Sequence, residues 1–413
     1  MLRRMAISGL IFFGFTALAG CTGTLASHTR PAREVATLDR EVERLMAAGH
    51  VPGLALAVIR NGEIVHLSAY GHRDVEQRLP LTAETTMYAA SITKTLFAYA
   101  VMTLVDEGRL DLDRPIAQYL PKPLPAYEKY ADLAGDERWR AITPRMLLSH
   151  TAGFPNFRFF TRQGSYDPNG KLTIEFAPGS RFAYSGEGIN LLQFVLDNGL
   201  RIDTGELIQQ RVFDRFDMRR SSMIWRADFA ANLAVGYDEA GKPLGHKQRG
   251  SVRAAGSMDT TIGDYAHFLA GLARCDGLRD AACAEMKRTQ IAIHSVQQFP
   301  TLSEDTTTDN DGIHLGYGLG IAVYDSPRGR AWFKGGHDDG TNNVALCLAA
   351  SRDCVLILSN SSNAEGIFKY VVDAALGPVC LPWFWENDIP YDQPQLRDAQ
   401  ARTQSHPPCA PLR

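Results

Sequence analysis

Short apolar runs separated by polar segments lie near both ends of the chain. Residues 54–59 and 64–69 are apolar runs separated by Arg-Asn-Gly-Glu, with Asn61 and Gly62 at the centre. This pattern predicts a β-hairpin. Beyond Gly316 four further runs predict strands; they are residues 319–324, 330–333, 342–348 and 354–358.

Helical periodicity appears between and beside these runs. Residues 37–49 place Leu38, Val42, Leu45 and Met46 on one face and end at a glycine, which predicts a helix. The same reasoning predicts helices over residues 91–107 and 364–375. Residues 115–300 mix helical patterns with polar loops.

Strands at both ends and helices between them predict an α/β (α+β) fold. We expect one central antiparallel sheet, formed by the N-terminal segment (37–85) and the C-terminal segment (316–376), flanked by helices. A mainly helical region, about 115–300, is inserted between them. Residues 37–376 then form one domain, followed by a proline-rich strap over 377–413.

Composition narrows the function classes. The chain has 413 residues, with 45% hydrophobic and 22% charged residues, which are ordinary globular values. Lys and Arg number 43 against 46 Asp and Glu, a net charge of -3. No basic surplus that would attract a polyanion is present, so nucleic acid is not an expected partner.

The N-terminus has the pattern of an export signal. Arg3 and Arg4 precede a mainly apolar stretch over 5–18, too short to span a bilayer comfortably. The following Leu-Ala-Gly-Cys resembles a bacterial lipoprotein signal, which implies removal of residues 1–20 and lipid attachment at Cys21. Residues 21–36 are then a tether, and the expected location is the periplasm or cell envelope. Simple secretion and a permanent membrane helix are the alternatives.

Six cysteines remain after Cys21, an even number that suits disulfides in an exported protein. Cys347 and Cys354 lie on two apolar runs joined by a polar turn, so they are expected to pair across a hairpin. Local spacing favours the other pairs, Cys275 with Cys283 and Cys380 with Cys409. Six buried free thiols are the alternative; a zinc site is disfavoured because no C-x-x-C pair exists.

One short motif carries the candidate chemistry. Ser91 and Lys94 stand three residues apart at the start of a predicted helix, and residues at this spacing share a helix face. Unpaired N–H groups of the first turn favour an oxyanion beside Ser91. A desolvated Lys94 could take the proton of the Ser91 hydroxyl. Alone, the pair also fits a capped helix with an exposed lysine.

Further motifs follow in order, and together they carry a family resemblance. Ser-x-x-Lys is part of the signature of serine β-lactamases and penicillin-binding proteins, and residues 40–375 resemble the class C β-lactamase and esterase branch of that superfamily. The resemblance implies a β-lactamase/transpeptidase-like fold. The segments that carry it are A-A-S-I-T-K (89–94), L-L-S-H-T-A-G-F-P (147–155), F-A-P-G-S-R-F-A-Y-S-G (176–186), A-A-G-S-M-D-T-T-I-G-D (254–264), Y-G-L-G (317–320) and F-K-G-G-H-D-D-G (333–340).

The resemblance implies a role for each of five catalytic-site residues. Ser91 matches the acylated nucleophile and Lys94 its helix partner. Tyr184 matches the general base or proton relay, with Lys94 and Lys334 favouring its phenolate form. Lys334 matches the lysine of the third motif, and the backbone N–H groups of Ser91 and His337 match the oxyanion hole.

Two departures bear on the substrate. Gly186 replaces an asparagine that would hold an acylamido group, and Gly335 replaces a hydroxyl residue that helps hold a carboxylate. Both losses favour a small ester or amide over a β-lactam or a D-Ala-D-Ala peptide, which stays the second hypothesis. His337 could compensate by donating to an ester or carboxylate, and His150 is expected to fix a loop.

Other classes of protein fit less well. His337, Asp338 and Asp339 could be metal ligands, but no H-E-x-x-H or fuller cluster accompanies them. No G-x-S-x-G is present, which disfavours the α/β-hydrolase fold. A non-catalytic cell-envelope binding or sensor module is the alternative outside enzymes. No metal and no organic cofactor is expected, and the oligomeric state is left open.

Overall fold

The computed structural model describes residues 32–162 and 165–409. The predicted signal peptide and Cys21 lie outside the described residues. Among the described residues, no helix combines the length and the apolarity needed to cross a membrane.

Nine α-helices lie in the described part of the chain. They are α1 Ala32–Ala48, α2 Thr93–Asp106, α3 Pro144–Leu148, α4 Gly186–Asn198, α5 Thr204–Ile208, α6 Ile262–Arg274, α7 Asp280–Lys287, α8 Glu365–Leu376 and α9 Trp383–Glu386.

Thirteen strands accompany them in the same ranges. They are β1 Gly53–Arg60, β2 Glu63–Asp74, β3 Leu79–Pro80, β4 Met87–Tyr88, β5 Gly236–Tyr237, β6 Pro243–Leu244, β7 Asp259–Thr260, β8 Ile291–Ala292, β9 Gly316–Tyr317, β10 Ala322–Ser326, β11 Gly329–Asp338, β12 Thr341–Leu348 and β13 Asp353–Ser359.

A nine-stranded sheet dominates the fold, in the order β3-β2-β1-β13-β12-β11-β10-β9-β8. Every neighbouring pair in it is antiparallel. Strand β1 pairs with β13, with Leu56 opposite Ile357, which joins the two ends of the chain in one sheet. The predicted α+β architecture with a central antiparallel sheet is confirmed.

Helices cover both faces of this sheet. Side chains of a strand alternate between the two faces, and all of β1 except its last residue is buried. Ala55 and Ala57 belong to the core that contains α2 and α6, whereas Leu54 and Leu56 belong to the core that contains α1 and α8. A sheet buried on both faces gives a rigid support for side chains at its edge.

The structure corrects several predicted boundaries. Helix α1 begins at Ala32, so the last residues of the predicted tether are helical. The strand predicted over 319–324 begins only at Ala322, and β8 lies inside the region predicted to be mainly helical. The C-terminal strap contains helix α9.

Three disulfides are present, and they are the three predicted pairs: Cys275–Cys283, Cys347–Cys354 and Cys380–Cys409. Cys347 and Cys354 lie directly opposite each other in the β12–β13 register. Disulfides persist in oxidising compartments, so the three bridges point to an extracellular or periplasmic protein.

Candidate active site

Ser91 lies in a tight turn that leads into α2. The turn is a 3-10 helix over Ala90–Ile92, and its first residue has a φ of +46°. This left-handed backbone is unfavourable for alanine, and the Thr93 hydroxyl donates a hydrogen bond to Ala90 O at 2.6 Å that closes the turn. Ser91 is thereby presented, half-buried, at the wall of a cavity. The sequence placed Ser91 inside the helix; it lies just before it.

Lys94 reaches back from α2 to Ser91. Its Nζ lies 2.9 Å from Ser91 Oγ and 2.5 Å from the carbonyl oxygen of Ala255, to which it donates. The side chain is buried, with 1% exposure. Burial lowers the pKa of Lys94, the nearby Lys334 lowers it further, and Tyr184 opposes the shift. A lysine in this setting loses its proton more readily than an exposed one.

Tyr184 lies between two lysines. The Nζ atoms of Lys94 and Lys334 are 4.9 and 4.8 Å from the centre of its ring. The residue immediately precedes α4, whose N-cap Ser185 accepts a hydrogen bond from Gly188 N at 2.9 Å and donates one to Pro155 O at 2.8 Å. These contacts fix the backbone that carries the phenol. Within the described residues the buried Tyr184 hydroxyl makes no hydrogen bond of ordinary geometry, and it interacts electrostatically with Lys94.

Lys334 comes from the far half of β11. Beyond Phe333 this strand pairs with β12 but no longer with β10 in the described part of the chain. Its free edge packs against the Ser91 turn: a Cβ on Gly336 would lie 2.8 Å from Ala89 O and 3.0 Å from Ile92 N. Only glycine permits this approach. Burial lowers the pKa of Lys334, and the charges of Glu386 and Asp388 oppose that shift.

His337 lies further along the same strand edge. Its Nε2 is 2.9 Å from Asp388 Oδ1, and Asp388 is buried. Burial lowers the pKa of His337, while the charges of Glu365 and Glu386 raise it. The side chain is therefore committed to an internal contact, which leaves its backbone N–H as the group predicted to face the reacting oxygen.

The C-terminal segment brings to this edge an acidic cluster that was not predicted from the sequence. Glu386 and Asp388 are 3% and 1% exposed. Burial raises the pKa of Glu386 to about 7 and raises that of Asp388 as well. A usable signal existed, because these two acids stand in the apolar run L-P-W-F-W-E-N-D-I-P, where an unpaired charge is costly.

One group in the described residues has metal-ligand geometry, and it differs from the trio considered above. Ligand atoms of His337, Glu365 and Asp388 lie within 4.8 Å of one another. Each already has a partner: His337 contacts Asp388, and Arg397 Nη2 lies 3.5 Å from Glu365 Oε1. Asp338 instead pairs with Lys247 at 3.2 Å.

His150 supports the site from behind. Its Nδ1 accepts a hydrogen bond from Ser185 N at 3.2 Å, and its ring packs 4.5 Å from that of Tyr184. Burial, followed by the charges of Lys94 and Lys334, holds its pKa well below the usual range. A neutral imidazole that positions the Tyr184 backbone fits the predicted structural role.

One wall of the cavity into which Ser91 opens is aromatic. A Cβ on Gly186 would lie 2.6 Å from the ring of Phe157, so that ring fills the space of the expected asparagine. Phe157 stacks on Phe159, with ring centres 5.2 Å apart, and Phe159 contacts Phe160. These three rings line the cavity of about 850 Å³ into which Ser91 opens, a size that suits a small organic molecule.

The structure thus brings four predicted residues together and places the fifth beside them. Ser91, Tyr184, Lys334 and His337 line the cavity, and the buried Lys94 contacts Ser91 and the ring of Tyr184. A hydroxyl beside an amine of lowered pKa, next to a phenol between two lysines, can perform nucleophilic acyl transfer.

Comparisons with known proteins agree with this geometry. The family model described as Beta-lactamase matches residues 38–375. A β-lactamase of Pseudomonas fluorescens is 27% identical over 56% of this chain and 63% of its own length. Protein flp of Staphylococcus aureus strain N315 is 23% identical over 49% of this chain and 41% of its own length. The matched part of the chain therefore spans less than two thirds of these relatives.

Among solved structures, the D-alanine carboxypeptidase AmpC of Burkholderia cenocepacia superposes with a TM-score of 0.64. The superposition covers 84% of this chain and 99% of the other, at 19% identity. At that identity the match speaks for the fold alone.

Proposed function

Because the chain belongs to the beta-lactamase family, a family of serine hydrolases, we propose that it is an exported enzyme that cleaves a small ester or amide through an acyl-enzyme on Ser91. The observation that carries the proposal is the 2.9 Å contact between Lys94 Nζ and Ser91 Oγ beside the ring of Tyr184. Export is supported by the three disulfides, and lipid attachment at Cys21 is a prediction of the sequence.

Acylation begins when the Ser91 hydroxyl gives up its proton. Lys94 and Tyr184 together accept it while Ser91 Oγ forms a bond to the substrate carbonyl carbon. The backbone N–H groups of Ser91 and His337 stabilise the oxyanion that results. The tetrahedral intermediate then expels the alcohol or amine, which takes up the proton, and the acyl group stays on Ser91.

Deacylation repeats the same steps with water. Tyr184 accepts a proton from the water, whose oxygen attacks the acyl carbonyl, and the proton returns to Ser91 Oγ as the ester bond breaks. Lys334, and Lys94 once it has taken up a proton, lie on either side of the ring and stabilise negative charge on the phenol oxygen. No external cofactor takes part in these steps.

The aromatic wall of the cavity favours a partly apolar substrate. Phe157 occupies the space of the amide that would grip an acylamido group, and Phe159 and Phe160 extend the aromatic wall. Aromatic rings contribute binding energy through apolar area rather than through specific hydrogen bonds. An ester or amide with an apolar acyl or alcohol group fits this wall best.

A β-lactam or D-alanyl peptide is the second candidate substrate class, and Lys334 favours it. Its side chain holds the place of the third-motif lysine next to Tyr184, and the Burkholderia structural neighbour is a D-alanine carboxypeptidase. Gly186 and Gly335 count against it, because each removes a polar group that would recognise such a substrate.

Labelling with a fluorophosphonate, followed by peptide mass spectrometry, tests the proposal. We expect one adduct on Ser91, turnover of a chromogenic ester and slow or no turnover of a cephalosporin. Ser91→Ala should lose the adduct, whereas the control Ser180→Ala, an exposed serine outside the cavity lining, should keep it. Fast cephalosporin hydrolysis would favour the second substrate class. An unlabelled Ser91 without ester turnover would favour a non-catalytic binding module.

A further inference from the structure

Gly335 and Glu386 occupy one space. A Cβ on Gly335 would lie 2.1 Å from Glu386 Oε1 and 3.1 Å from Glu386 Cδ. A serine or threonine at 335 therefore cannot coexist with this position of Glu386. Glu386, 51 positions further along the chain, thus explains the missing motif hydroxyl. It puts its carboxylate where the side chain of a serine or threonine at 335 would begin.

Glu386 is held in this place by a built environment. It ends α9, a helix anchored by the buried side chains of Trp383 and Trp385. Gln298 Nε2 donates to Glu386 Oε2 at 2.8 Å, and Gln298 N donates to Trp385 O at 2.7 Å. The other oxygen, Oε1, is buried without a hydrogen-bond partner among the described residues. Glu386 and Gln298 both line the cavity that contains Ser91.

At this end of the cavity the positive charge of Lys334 is therefore balanced by acidic side chains of the protein itself. Lys334 directly precedes Gly335 in β11, and Glu386 and Asp388 both interact with its ammonium electrostatically. One ammonium thus faces two carboxylic acids of the same chain. A substrate carboxylate entering here would meet Glu386 in place of a hydroxyl donor and a lysine that already has anionic partners.

From this arrangement we propose that Glu386 is a specificity-determining residue: its carboxylate occupies the subsite of a substrate carboxylate, so that the enzyme rejects anionic substrates and accepts uncharged ones. This inference rests on the proposed serine hydrolase function and names the substrate class of that same site. Selectivity here comes from the space that the Glu386 side chain fills and, at pH values above its pKa of about 7, from repulsion between like charges.

A pair of esters that differ by one carboxylate tests the inference. Phenyl acetate is uncharged, and 3-acetoxybenzoate carries a carboxylate on the leaving group. Their kcat/KM values are measured per active site, counted by fluorophosphonate titration. We expect the wild type to prefer phenyl acetate, and Glu386→Gln, which keeps the shape without the charge, to shift the ratio at least tenfold towards 3-acetoxybenzoate.

Two further variants keep the test decisive. Glu386→Ala removes the carboxylate altogether, and it should shift the ratio in the same direction if Glu386→Gln does not fold. Asp339→Asn removes an exposed carboxylate of the same cavity away from Gly335, and its ratio should stay within about twofold of the wild type.

Different outcomes would overturn the role of Glu386 and the proposed serine hydrolase function. An unchanged ratio in the folded Glu386 variants, or an equal shift in Asp339→Asn, would overturn the role of Glu386 while ester turnover persists. Absence of turnover of both esters by the wild type before labelling would instead overturn the proposed function.

Discussion

Lys94 Nζ lies 2.9 Å from Ser91 Oγ while it also donates a hydrogen bond to Ala255 O. A neutral amine has one lone pair, so an amine that donates to the carbonyl can still accept the serine proton. This arrangement places the amine within hydrogen-bond distance of the hydroxyl whose proton it is proposed to accept.

Removing this amine should abolish most activity without unfolding the protein. We expect Lys94→Met, which keeps the length and apolar stem of the side chain, to lower kcat/KM for an ester by 10²–10⁴-fold, the usual contribution of a positioned base. Steady-state kinetics and circular dichroism check this. Lys287→Met is the matched control, because burial also lowers the pKa of Lys287, to about 8, yet this lysine contacts Leu272 O and not the cavity. Equal losses in the two variants would contradict the assigned role.

The pH dependence of kcat/KM should reflect the protonation of Lys94. Burial lowers the pKa of Lys94 from 10.5, so the unprotonated form appears at lower pH than in an exposed lysine. Because the base must be unprotonated to accept the Ser91 proton, kcat/KM should rise with pH and level off below pH 10.5. Initial rates of ester hydrolysis across pH 5–10, corrected for the spontaneous reaction, measure this. A rate that falls over that range would contradict a lysine-assisted base.

The aromatic wall should affect binding more than chemistry. Phe159 is 36% exposed, stacks on Phe157 and lines the cavity. We expect Phe159→Ala to raise KM for a phenylacetyl ester about fivefold, equivalent to ~1 kcal/mol of apolar contact, and to leave kcat within about twofold. The acetyl ester of the same alcohol is the control, and its KM should hardly change. A loss confined to kcat would argue against a substrate-binding role.

The Cys380–Cys409 disulfide should stabilise the segment that carries Glu386 and Asp388. Cys380→Ser/Cys409→Ser is expected to lower the free energy of unfolding by about 2–4 kcal/mol, the usual effect of removing a disulfide that closes a loop of this size. Urea denaturation of the oxidised proteins measures the difference. An unchanged free energy of unfolding in the double variant would contradict the stabilising role of this disulfide.

Local patterns predicted much of the fold. The Asn61-Gly62 turn and the apolar runs on either side of it were sufficient for the β1–β2 hairpin, and the spacing of Cys347 and Cys354 gave their pairing. The edge strand β8 has two residues, too few for a pattern to reveal. The start of α1 was missed because the apolar stripe that marks it begins only at Leu38.

The candidate site was also predictable from the sequence only in part. Ser91 and Lys94 are three residues apart, so their contact follows from local helix geometry. Tyr184 and Lys334 required a family resemblance, since nothing local brings residues so distant in sequence together. The contact between Glu386 and Gly335 depends on how α9 packs against β11, and a sequence shows only the unexplained glycine and the unexplained buried acid.

The most direct test of the whole account is the activity of Ser91→Ala on a chromogenic ester, measured on folded protein with the wild type alongside. We expect kcat/KM to fall by at least 10³-fold, and an acid-quenched wild-type reaction to yield an acylated peptide that contains Ser91. A variant that retains more than a tenth of wild-type activity, or an acyl group found on another residue, would contradict the account.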